Sequence, residues 1–152
     1  MRNILLTLLC ASLLSCGGEF GRETCEGSFQ VEPALAADAV AARERWNDFL
    51  GEKHFHVSTE EGRCHIVIGK IDTISYGHYH PETGEIVIDW GKIGQEPASL
   101  RQSVIMHELG HSIGLPHLSA GHDGIMAPAS GPQFTEWDRQ AVEGANQWQS
   151  VR

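Results

Sequence analysis

Basic residues are scarce in this 152-residue chain, with 11 Lys and Arg against 20 Asp and Glu and a formal charge of -9. A surface of that sign repels phosphate backbones and anionic headgroups, so neither nucleic acid nor acidic lipid is expected as a partner. Long apolar runs are missing too. The stretch from Ile4 to Leu14 has eleven residues, where a helix needs about 20 to cross a bilayer. No internal repeat or low-complexity segment is present, which excludes solenoid and fibrous architectures. With 4 cysteines, the fold must rest on a hydrophobic core, and the length suits a single domain.

What the chain does have is concentrated near residue 110. His107, Glu108, His111, Gly114 and His117 follow the spacing H-E-x-x-H-x-x-G-x-x-H. At this composition chance supplies such a run roughly three times in ten thousand. Residues four apart share a helix face, so His107 and His111 can offer imidazole nitrogens to one zinc ion. Gly114 stands where a helix commonly ends in a left-handed conformation. Pro116 cannot continue the helix, and the redirected chain brings His117 back as a third ligand. Three protein ligands leave a position for water, the mark of a catalytic rather than a structural zinc site. Glu108 sits beside the ion, placed to take a proton from that water and return it to a leaving amine.

Hydrophobic spacing outlines the elements around this run. Leu35, Ala39, Ala42, Trp46 and Phe49 predict a helix over Pro33 to Leu50, stopped by Gly51. His54 to Ser58 reads as an edge strand and Cys64 to Ile71 as a central one. Ile74 to His80 and Glu85 to Trp90 flank Pro81-Glu82-Thr83-Gly84, a hairpin signal. Ser99 to Ile113 forms the metal helix. Thr135, with Asp138 completing an approximate capping box, opens a last helix with Trp137, Ala141, Val142 and Ala145 as its apolar stripe. The fold class is therefore α+β, a small mixed sheet backed by a long helix.

With Met126 nine residues after His117, in Gly124-Ile125-Met126-Ala127-Pro128, the motif resembles the metzincin clan of zinc metalloproteases and, within it, the matrixin-like group. The segment Phe134 to Val142 is similar to the start of the matrixin closing helix. The resemblance covers residues 98 to 145; upstream it rests on the order of elements. It implies a metalloendopeptidase with zinc on His107, His111 and His117, Glu108 as the base, and Met126 on a tight turn beneath the ion. It also implies that a peptide substrate pairs with an edge strand in the Ile74 to Trp90 hairpin. No segment resembles a matrixin propeptide. Ala127 stands where some metzincins carry an extra tyrosine ligand.

The N-terminus reads as an export signal over residues 1–15. Its end, Leu13-Leu14-Ser15-Cys16, resembles the bacterial lipobox, which implies lipidation of Cys16, a tether over 16–27 and a catalytic domain over 28–152. That places the domain outside the cytoplasm, anchored to a membrane, and expected to act as a monomer. Cys25 and Cys64 then remain. They pair as a disulfide, or Cys25 binds the zinc and holds the enzyme latent as the propeptide cysteine of matrix metalloproteinases does. His78 and His80 project from one strand face, with His122 and Asp123 downstream. They are expected to face solvent or substrate, the alternative being a second zinc; calcium stays open. Two rival readings are a non-catalytic, zinc-stabilised binding lipoprotein and a metal hydrolase acting on a non-peptide amide.

Overall fold

A computed structural model describes residues 25, 27–128, 131 and 133–150, the last five by backbone alone. The signal, Cys16 and most of the tether lie outside the described residues. Among them five strands form one mixed sheet. These are β1 (Ser28–Val31), β2 (His56–Ser58), β3 (Cys64–Ile68), β4 (Gly77–His80) and β5 (Glu85–Ile88). Their order is β2-β1-β3-β5-β4, parallel except for β4, which runs antiparallel to β5 at the edge. The helices are α1 (Ala36–Leu50), α2 (Trp90–Ile93), α3 (Ala98–Ser112) and α4 (Glu136–Ser150), and a 3-10 turn (Pro33–Leu35) leads into α1. The chain is thus α+β. No helix among the described residues is long and apolar enough to cross a membrane.

Short strands permit an unusually tight topology. β2 and β3 lie on either side of β1 and both run parallel to it. Parallel neighbours usually need a crossover of a dozen residues or more, but residues 59–63 suffice here. They pass directly over β1: a Cβ on Gly62 would lie 1.9 Å from the Gln30 nitrogen, so only glycine fits. The Gln30 side-chain amide also donates to the carbonyls of Thr59 and Glu60.

The core lies between the sheet and the helices. Trp46 of α1 is fully buried, and its indole N–H donates to the Met106 carbonyl of α3 at 2.8 Å. Its ring meets Phe134 edge-on, and Phe134 stacks on Phe49 with centroids 4.0 Å apart. A second tie joins the same helices, where the Arg101 Nε–H donates to buried Asp38 at 2.6 Å. These links fix the helix that carries the histidines.

Cys25 and Cys64 are joined by a disulfide. The sulfur of Cys25 is therefore committed, which overturns its alternative role as a latency ligand. Cys25 is itself buried, so packed structure extends into the stretch read as tether. Closing a loop with a separation of 39 residues contributes about 4 kcal/mol on the chain-entropy account. The β4–β5 turn sits on the bridge: a Cβ on Gly84 would lie 2.3 Å from both sulfurs, and its φ of +72° suits glycine.

Several boundaries differ from the sequence expectation. β1 has no counterpart in the sequence expectation: Ser28–Val31 alternates, but four residues cut off by Glu32-Pro33 are too few for the period to stand out. The central strand stops at Ile68 rather than Ile71, and β4 begins only at Gly77, leaving residues 69–76 as a loop. β5 ends at Ile88, and Trp90 opens a helical turn instead of closing a strand. Trp137, expected in the apolar stripe of α4, is 41% exposed and stacks on His122.

Candidate metal centre and cleft

α3 places His107 and His111 one turn apart and ends as its sequence requires. Gly114 has φ +86°; its amide donates to the His111 carbonyl at 2.9 Å and the Leu115 amide to the Gly110 carbonyl at 3.1 Å. That pair of bonds is a Schellman cap. The chain then turns back, and the three Nε2 atoms of His107, His111 and His117 lie 3.0, 3.1 and 3.2 Å from one another.

The proton inventory shows what this triangle needs. The Nδ1–H of His107 donates to the Ile125 carbonyl at 2.7 Å, and the Nδ1–H of His111 to the Leu115 carbonyl at 2.8 Å. A carbonyl can only accept, so each neutral ring keeps its proton on Nδ1 and turns an Nε2 lone pair inward. Two lone pairs 3.1 Å apart repel unless a cation lies between them. Burial also opposes protonation, pushing His107 down to about 4 and His111 below its ordinary value. Neutral rings with fixed tautomers are what metal ligation demands. Nitrogens so spaced would subtend roughly 95–105° at an ion about 2.0–2.1 Å from each, close to tetrahedral. The donor set therefore fits a divalent ion such as zinc. His117 is exposed, so the open side faces solvent.

Met126 lies beneath the helix rather than in the triangle. It is fully buried against Gly110, where a Cβ would come 2.2 Å from its sulfur. A glycine between the two helical ligands costs helix stability but lets this turn approach closely. The Ile125–Met126 turn is held from α4: the Asp138 carboxylate, fully buried, accepts from the amides of Ile125 (3.1 Å), Met126 (2.9 Å) and Thr135 (2.8 Å). Because the Ile125 carbonyl orients His107, Asp138 acts on a ligand through one peptide unit. The sequence suggested only a helix cap for Asp138; its reach to residue 125 has no local signal.

Glu108 points away from the triangle's turn side toward β4. Its carboxyl is buried, and a Cβ on Gly77 would lie 2.8 Å from its Oε1. Burial pushes its pKa up to about 7, against the Tyr79 amide that donates to it. A nearby divalent cation would pull that value down. Glu108, the three histidines and β4 line one open cleft of about 830 Å³, with Ile74, Tyr76 and Leu100 at its walls. β4 is an edge strand, and among the described residues no strand pairs with its outer side, where the Tyr79 amide meets Glu108.

The remaining histidines do not assemble. The rings of His78 and His80 lie 4.6 Å apart, while His122 stacks on Trp137. Among the described residues, His107, His111 and His117 are the one group that brings three metal-ligating atoms together. No protein-family model matches the chain, and a search of curated proteins finds no match.

Proposed function

We propose that the chain is a zinc-dependent endopeptidase of the metzincin type, related to the matrixins, and anchored outside the cytoplasm by lipid on Cys16. One observation carries the reading: a buried carboxylate, a tautomer-locked histidine triangle and an unpaired strand edge share one cleft. A structural metal site needs neither the carboxylate nor the edge.

His107, His111 and His117 would hold the ion, which when bound would supply a Lewis acid and a water of lowered pKa. Glu108 takes the proton of the attacking water and delivers it to the departing amine. β4 offers backbone groups that align an extended peptide across Glu108, and side-chain contacts in the cleft select it. Met126 and Asp138 keep the ligand helix and turn from shifting as charge develops. The open, apolar-lipped cleft favours a peptide over a compact amide.

The test is incubation of the purified protein with a peptide library, with and without chelator, beside Glu108→Gln. The expected result is cleavage that chelation abolishes and zinc restores, with one zinc per chain in both proteins and a loss of about 10²–10⁴-fold in kcat for the variant. A variant as active as wild type, or a zinc-loaded protein that cleaves nothing, overturns the reading.

A further inference from the structure

A lysine that the mechanism does not use organises the mouth of the cleft. Residues 69–76 form neither strand nor helix, yet Ile74, Ser75 and Tyr76 make the cleft's lip. The loop is wrapped around the ammonium of Lys92 in α2. Its Nζ donates to the carbonyls of Ile71 (2.5 Å), Thr73 (2.7 Å) and Ser75 (3.1 Å), and pairs with Asp89 at 3.0 Å. Asp89 closes the arrangement, since its carboxylate accepts from the Ile71 amide and its own amide donates to the Tyr76 carbonyl.

Carbonyls at every second residue are drawn to one charge, and the loop's side chains are left outside. Ile74 is 97% exposed and Tyr76 39%. A lone exposed isoleucine is ordinary on a protein surface. This one is held at a cleft mouth by bonds to an ammonium, which are roughly twice as strong as neutral ones. The three protons of the ammonium are shared among three carbonyls and the Asp89 carboxylate, so the loop cannot leave this position without giving up charge-assisted bonds.

We infer that Lys92 is a positioning residue and Ile74 a specificity-determining one: the ammonium holds the 69–76 lip so that Ile74, beside Tyr76, covers an apolar side chain of the bound peptide. The assignment of Ile74 rests on the peptidase reading; that of Lys92 does not.

Lys92→Ala removes Cγ through Nζ, the atoms of propylammonium, and the full-length protein permits a chemical rescue. Amide exchange over residues 70–76 is expected to quicken about tenfold or more while zinc content is unchanged, and millimolar propylammonium, but not propanol, is expected to slow it again. Wild-type exchange in the variant, or rescue by propanol as well, overturns the role of Lys92. Ile74→Ser, at a fully exposed position, is expected to raise KM about tenfold for cleaved peptides rich in apolar residues and to leave kcat unchanged. An unchanged KM overturns the role of Ile74. If the zinc-loaded protein cleaves no peptide, Ile74 falls with the peptidase reading, and the exchange experiment still decides Lys92.

Discussion

Gly77→Ala probes how closely the edge strand must approach the base. The added Cβ would lie 2.8 Å from Glu108 Oε1, 2.9 Å from its Cγ and 2.8 Å from Val104 Cγ1. Non-bonded carbons settle about 3.5–4.0 Å apart, so something must move by about 0.7–1 Å. The strand resists, because Gly77 pairs with Ile88 of β5, and Val104 is buried in the core. The Glu108 carboxylate is left to yield. A misplacement near 1 Å costs up to about 10²-fold in rate, equivalent to about 2.7 kcal/mol of transition-state stabilisation. The histidines are oriented from the other side, by the carbonyls of Ile125 and Leu115, so zinc content should not change. Steady-state kinetics on a cleaved peptide, with metal analysis and circular dichroism, should show kcat down by about 10–100-fold with zinc and fold intact. A wild-type kcat would refute the reasoning, and loss of zinc would show that α3 moved instead of the carboxylate.

Asp138→Ala strips the acceptor from three amides, each worth about 1–3 kcal/mol when left unsatisfied. A stability loss of at least about 3 kcal/mol in denaturant is expected, together with zinc affinity lower by about 10–100-fold in chelator competition. Reduced stability with unchanged zinc affinity would sever the link through Ile125 to His107. The Asp89 carboxyl is held below its ordinary value of 3.8, first by the Ile71 amide and then by Lys92. A native pKa below the unfolded one means its contribution is complete above the unfolded value and drains away as pH falls through the native one. Protection of the 70–76 amides, taken relative to their intrinsic exchange rates, should therefore be complete above pH 3.8 and be lost as pH falls below it, ahead of global unfolding. Protection that persists until the whole chain unfolds in acid would count against it.

The legible parts of this fold are those where spacing and chemistry coincide. His107, His111 and His117 could be brought together on paper because a helix turn and a glycine exit are local geometry, and the limits of α3 fell within a residue of expectation. Cys25 and Cys64 are open to two fates in the sequence, and only the fold, which brings them together as a disulfide, distinguishes them. What stayed hidden depends on contacts distant in sequence. Nothing near Gly77 announces Glu108, nothing near Lys92 announces three carbonyls some twenty residues upstream, and Asp138 reads locally as a cap. Trp137 misled because periodicity cannot tell a core face from a ring stacked on His122.

The four residues of β4 also set a kinetic bound. Roughly half of its backbone groups face outward and the Tyr79 amide is already bonded to Glu108, which leaves about three hydrogen bonds at about 1 kcal/mol each, an affinity of roughly several millimolar on its own. A strand docked there is released quickly unless side chains add to the grip. So short an edge is a poor template for runaway self-association, and it favours rapid exchange of whatever occupies it.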